Sequence, residues 1–282
     1  MRIEQLWRYP VKSMMGEPLD RCAVGELGLA GDRGWAVRDE ARGTITGAKK
    51  LGGLMRFAAG YVAEPDGPVE IRCPDGSIIS SSEPDPDAKL SDALGHDVTL
   101  WPRQPATDLE HYRRVLPADG DLLGELRAIF GRDPDEPLPD FTLFPPEIIQ
   151  YESPPGTYFD AFPLLVMSSA ALESVARACP GSVIDVRRFR PNLVVGTDGG
   201  DEHPEQAWIG ARARIGSAEV EFVGGCPRCV MITREIDETI PVDRAPLRHV
   251  VAELDQNLGV YATVVEAGEI SVGDPVELVS SP

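Results

Sequence analysis

The chain has 282 residues, with 27 lysines and arginines against 46 aspartates and glutamates, a formal charge of −19. That balance argues against a general nucleic-acid or anionic-membrane binder, which needs a basic face to release counterions. No apolar run approaches the roughly 18–20 residues of a membrane span and no targeting signal stands at Met1, so a cytoplasmic protein is expected, long enough for one large or two ordinary domains.

In chain order, "RIEQLWRYPV" reads as a first strand stopped at Pro10. Lys12 and Ser13 follow it directly, and "GLAGDRGW" sets Arg33 in a glycine-rich turn. Lysine, serine and arginine on such loops can hold an anion together with free backbone N–H groups. "VEIRC-PDG-SIIS" predicts a hairpin, with Asp75-Gly76 supplying the positive-φ turn. A helix is expected over Leu122–Phe130, with Leu122, Leu126 and Ile129 on one face.

Seven prolines (134, 137, 139, 145, 146, 154 and 155) then exclude helix and sheet interior, which predicts a linker or a wrapped surface loop. They divide the chain into an N-terminal part at 1–130, a connecting segment at 131–156 and a C-terminal part at 157–282. A second helix is expected from an N-cap at Ser168 or Ser169, burying Leu172, Val175, Ala176 and Cys179. "RRFRPNLVV" puts Arg187, Arg188 and Arg190 before a strand. Arginine forks suit phosphate, although an ordinary surface cluster is the more common reading of such a run. "ARARI-GS-AEVEFV" predicts another hairpin and runs into "GGCPRCVMIT". A third helix is expected near Asp243, with Pro246 in its first turn and Leu247, Val250, Val251, Leu254 and Leu258 buried. "EISVGDPVEL" predicts a closing strand pair around Gly273-Asp274.

The five cysteines are odd in number and do not suggest a disulfide framework. Cys226 and Cys229 leave four readings open. A zinc site needs four ligands, and no second pair or paired histidines are present. A redox dithiol wants a helix N-terminus, whereas "CVMIT" reads as strand. The pair can be structural, or one thiolate beside Arg228 can serve a soft metal.

"YPVKS", "GDRGW", "FRPNLVV", "CPRC" and "VGDPVEL" occur here in the order found in MOSC-domain proteins. The chain resembles those with an associated N-terminal β-barrel domain, above all the mitochondrial amidoxime-reducing component and its bacterial relatives. The resemblance spans most of the chain apart from about 103–156. It implies a mainly β fold with a few helices, an N-terminal β-barrel-like domain packed on a C-terminal MOSC β-barrel. It also implies a molybdenum-pterin cofactor between them. The family's molybdenum ligand falls on Cys229, the expected catalytic and metal-binding residue. Cofactor contacts fall on Lys12, Ser13, Arg33, Asp160, Arg190, Asn192 and Arg228, and an aromatic lining position on Tyr261. The chain departs at Met14-Met15, at "TGAKK" (Thr46 to Lys50) and at Met231 to Glu235, where relatives read Thr-Thr-Val-Asp-Pro.

The implied reaction is two-electron removal of oxygen from the nitrogen of a small N-hydroxylated substrate. Because the chain ends at Pro282, a separate electron-donor protein is expected, of ferredoxin or cytochrome type with a reductase. Neither nucleic acid nor membrane is an expected partner. A sulfur or molybdenum-cofactor carrier using a reactive cysteine is the alternative, and a cofactor-free β-barrel interaction module a third reading.

Overall fold

In a computed structural model the protein is built mostly of short strands with few helices, and residues 1–279 other than 64, 118, 119, 143 and 145 are described. Pro145 of the proline-rich segment and Pro282 therefore lie outside the described residues. The largest sheet has eight strands. Their order is Val276–Val279, Arg212–Ile215, Ala218–Pro227, Asn257–Glu266, Leu164–Ser168, Leu193–Gly196, Arg2–Arg8 and Glu17–Leu19. The first strand of the chain thus belongs to a sheet made mainly by the C-terminal part, where it pairs antiparallel with Leu193–Gly196. Ile3, Leu6, Val195, Phe222, Val260 and Val276 pack one core on this sheet.

The expected fold class, mainly β with a few helices, is the observed one. Both predicted hairpins form, with Gly76 (φ 87°) and Gly216 (φ 55°) in the left-handed region that their turns need. Helices occupy Leu122–Phe130, Ser169–Ala178 and Ala245–Glu253. The Ser168 hydroxyl accepts from the Ala171 N–H, which settles the cap of the second. Ala176 is exposed, and Leu258 lies on a strand rather than on the third helix.

Two expectations fail locally. The strands Gly268–Ser271 and Val276–Val279 do not pair with each other, the first joining Arg21–Gly25 and the second Arg212–Ile215. The intervening backbone bonds to the first strand instead, Ile3 N–H donating to Asp274 and Gly273 N–H to Ile3, which sends the two arms to different sheets. After Cys229 the chain forms a 3-10 turn over Val230–Thr233, not a strand. Pro227 ends the preceding strand because it has no N–H for the ladder. The turn drops Met231 into the core of Val11, Met14, Leu54 and Ile71. It drops Ile232 into a different core, with Val175, Leu247 and Val250. Met14, Met15 and Met231 are therefore packing residues, which accounts for the apolar departures at those positions.

Candidate functional site

A cavity of about 370 Å³ opens between the N-terminal loops, the proline-rich segment and the loop after Pro227. That size is within the range of about 300–1,000 Å³ typical of small-molecule sites. Lys12, Ser13, Arg33, Asp160, Arg190, Arg228, Cys229 and Tyr261 all line it, and Asn192 does not.

One end is cationic. The first strand stops at Pro10, and Lys12 is tied to the next strand through its N–H to Trp35 C=O at 2.8 Å. Ser13 (φ 67°), Arg33 (φ 49°) and Arg190 (φ 57°) all hold left-handed backbone, uncommon for residues with a Cβ. Conformations of this kind gather at functional sites because surrounding packing must enforce them. At the two arginines the packing partner is Tyr9. Its ring lies under both guanidinium groups, 4.2 Å from Arg190 and 5.5 Å from Arg33. Its hydroxyl donates to Pro191 C=O at 3.0 Å, and its N–H donates to Asp32. Burial lowers the Arg190 guanidinium to about 10, against the pull of Tyr9. Asn192 stands behind this wall. Its Oδ1 accepts from Leu165 N–H at 3.1 Å and from Arg33 at 3.4 Å, and its amide donates to Trp7 C=O. It bonds to Arg33 and to the strands and is not part of the cavity lining.

Lys12 donates to Tyr158 C=O at 2.8 Å, to Ser153 at 3.1 Å and to Asp160 at 2.7 Å, and Lys49 binds the other Asp160 oxygen at 2.8 Å. Burial lowers the Lys12 ammonium, with Asp160 working the other way. Burial also opposes the charge on Lys49, but Asp160, and after it Cys229, hold its ammonium raised. Lys49 is thus within electrostatic reach of the Cys229 sulfur. At Asp160 burial works to raise the carboxyl, yet Lys12 and Lys49 together keep it well below the usual carboxylate range. The 42% of the Asp160 side chain that remains exposed faces the cavity space.

A depressed carboxyl stabilises the fold above its unfolded pKa of about 3.9 and loses that contribution as pH falls through the folded value. Asp160→Asn should accordingly lower the urea midpoint at pH 7. The gap from the unaltered protein should narrow steadily below about pH 4. An equal gap at pH 7 and pH 3 would mean that charge plays no part.

A cradle sits beside these lysines. Thr46 is 2% exposed, and its Oγ1 has no hydrogen-bond partner. A Cβ on Gly47 would stand 2.7 Å from Ser13 Oγ. An orphaned buried hydroxyl and a glycine that leaves the serine oxygen open fit an anionic, hydrogen-bonding ligand better than an empty structural pocket.

The thiols differ sharply. Alternation along Ala218–Pro227 turns Cys226 inward, 5% exposed. It accepts from Arg228 Nη1 at 3.2 Å, and it lines the cavity with Tyr261, whose phenol is raised by burial and then by Cys226. Arg228 is an internal brace, donating also to Phe189 C=O at 2.6 Å and Leu258 C=O at 3.4 Å. Cys229, past the proline, is partly exposed to the cavity. No group of three or more His, Cys, Asp or Glu side chains among the described residues could hold a bare metal ion. A metal here would have to bring most of its own ligands. The other cysteines, Cys22, Cys73 and Cys179, are buried thiols raised by burial, as core residues are.

Sequence reasoning missed four features. Tyr9 lay in "YPVKS", and Thr46 and Lys49 in "TGAKK", where the segment was visible but not its orientation. The aromatic wall of Phe141, Phe144 and Phe162 lies in irregular, proline-rich chain that has no periodicity to reveal a shared face. Among the described residues no helix is long and apolar enough to cross a membrane.

The family model of the MOSC domain matches residues 154–277, and that of the MOSC N-terminal beta barrel domain matches residues 1–104. Human mitochondrial amidoxime reducing component 2 is 27% identical over 312 aligned positions, covering 97% of this chain and 82% of that protein. Human mitochondrial amidoxime-reducing component 1 is 26% identical, covering 98% and 82%. The YuaD protein of Bacillus subtilis superposes with a TM-score of 0.45 at 13% identity, covering 100% of this chain and 96% of that one.

Proposed function

Because the chain belongs to the MOSC-domain proteins that carry the N-terminal beta barrel domain, we propose that it is a molybdenum-cofactor-binding oxidoreductase that reduces N-hydroxylated or N-oxygenated small molecules. The observation that carries this reading is the convergence, in one cavity, of a buried cationic and hydroxyl cradle with a single accessible thiol. Residues from the N-terminal part, 1–130, and the C-terminal part, 157–282, converge on the binding site, with the connecting segment closing one side. The donor set fits the cofactor. Lys12, Lys49, Arg33 and Arg190 would neutralise its phosphate, with Ser13 and Thr46 offering hydroxyls. Asp160 would yield part of its hold on the lysines to that anion. Cys229 would supply the soft thiolate. When bound, the group supplies the two-electron oxygen-removal chemistry. The protein's residues fix its orientation, and Tyr261 and the phenylalanines keep water from the reacting face. The electrons come from a separate donor protein. The apolar residues after Cys229, Met231 and Ile232, are core residues, so that departure from the relatives lends no support to the carrier alternative.

Purified gently from a host competent in cofactor synthesis, the protein should contain close to one molybdenum and one releasable pterin per chain, measured by elemental analysis and pterin fluorescence. Absence of both would overturn the proposal.

A further inference from the structure

Residues 105–153 fall between the two matched domains, yet described residues among them, from Arg114 to Glu152, line one side of the cavity. That side is apolar. A chain of ring contacts runs along it, Phe130 to Phe141 at 5.5 Å, Phe141 to Phe144 at 6.0 Å and Phe144 to Tyr261 at 6.2 Å. Phe162 closes it, 5.0 Å from Tyr261. Both ends of this arc come near the cysteine loop. At one end, a Cβ on Gly131, which follows Phe130, would lie 3.4 Å from Val230 Cβ, next to Cys229. At the other, Tyr261 and Cys226 both line the cavity.

The rim continues the same surface. Leu116, Leu122 and Ile149 line the cavity and are 58%, 41% and 66% exposed. Apolar side chains left open in this way at the mouth of a pocket mark a binding surface. The carboxylates on this wall offer no charge to a ligand. Lys50 holds Glu125 at 3.0 Å and Glu152 at 2.8 Å, and Arg114 holds Glu152 at 3.2 Å.

From this we infer that the 105–153 segment is the specificity wall of the site and selects uncharged aryl substrates. The aromatic body lies against Phe144 and Tyr261, and the N-hydroxyl group is turned toward Cys229. Rings in contact prefer offset or edge-on partners, which this tilted array offers to one more ring. The inference rests on the function proposed above. In the reaction an amidoxime C(NH2)=N–OH takes two electrons from the donor protein and two protons. The N–O bond breaks, giving the amidine and water.

The test uses the molybdenum-loaded full-length protein with a chemical low-potential reductant and two neutral substrates, benzamidoxime and acetamidoxime. Binding of each is also measured by titration calorimetry. Benzamidoxime should have at least tenfold higher kcat/KM, through KM, and at least tenfold tighter binding. Phe144→Ala should cut that preference at least fivefold and Phe144→Leu by less, with circular dichroism checking the fold. Leu122→Ser, at the exposed rim, should cut it in the same direction. Equal kcat/KM and equal binding of the two compounds, or a preference untouched by all three variants, overturns the inference while leaving the proposed function standing. Tight, Phe144-dependent aryl binding without turnover of either compound supports the wall and overturns the function.

Discussion

Cys229→Ser should abolish turnover of N-hydroxylated substrates and alter the optical absorption of the bound metal, while the protein still folds. A serine oxygen is a hard, far less acidic donor and does not replace a thiolate on a soft metal. Cys229 is partly exposed and, among the described residues, its sulfur makes no hydrogen bond that holds the fold, so the loss should be chemical and not structural. Cys226→Ser should behave differently. The residue is 5% exposed and its sulfur is engaged by Arg228, and a hydroxyl can accept from the same guanidinium. It should retain a substantial fraction of activity. Steady-state assays and metal spectra of the two variants decide the matter. An inactive Cys226→Ser beside an active Cys229→Ser moves the ligand to the other sulfur, and two active, molybdenum-free variants make the pair structural.

The second large effect is on stability. Arg188 is 1% exposed, and its guanidinium donates to four backbone carbonyls: Val183 at 2.8 Å, Ile232 at 3.3 Å, Arg234 at 3.2 Å and Pro241 at 2.8 Å. Two of these belong to the chain just after Cys229, so Arg188 fixes the turn that presents the thiol. Hydrogen bonds to a charged group contribute about 1.5–3 kcal/mol each, and the Ile232 carbonyl left behind belongs to a buried residue. Arg188→Ala should cost at least about 3 kcal/mol in urea unfolding. Arg188→Lys should recover less than half, since one ammonium cannot span four acceptors. Arg187→Ala, which breaks only partly exposed ion pairs to Asp185 and Asp237, should cost no more than about 1 kcal/mol. A loss below that level at Arg188 would show the brace to be dispensable.

The three arginines of "RRFRPN" illustrate what a sequence can and cannot carry. Their presence before a strand was legible, and so was the choice between phosphate site and surface cluster. In the fold Arg187 is a surface ion-pair residue, Arg188 an internal brace and Arg190 a cavity residue. The division follows from the single helical turn Val186–Phe189, which fans consecutive side chains in different directions, and from Arg190 turning left-handed over Tyr9. Asn192 shows the converse: it lies in a matching motif but faces the strands.

The sequence alone determined the local rules. Period-2 alternation set the strands, Asp75-Gly76 and Gly216-Ser217 the turns, Ser168 the cap, and the ordered motifs the family. Each of these rests on backbone preferences over a few neighbouring residues. Only the tertiary structure decided where Gly268–Ser271 and Val276–Val279 pair, because the choice depends on hydrogen bonds to Ile3 at the other end of the chain. It alone decided that Asp160 bridges two lysines and that Thr46 lies buried without a partner. It alone brought Phe141 and Phe144 into line with Tyr261. Those contacts join residues far apart in the chain through irregular segments, whose direction is set by what they pack against and not by any repeat in their own sequence.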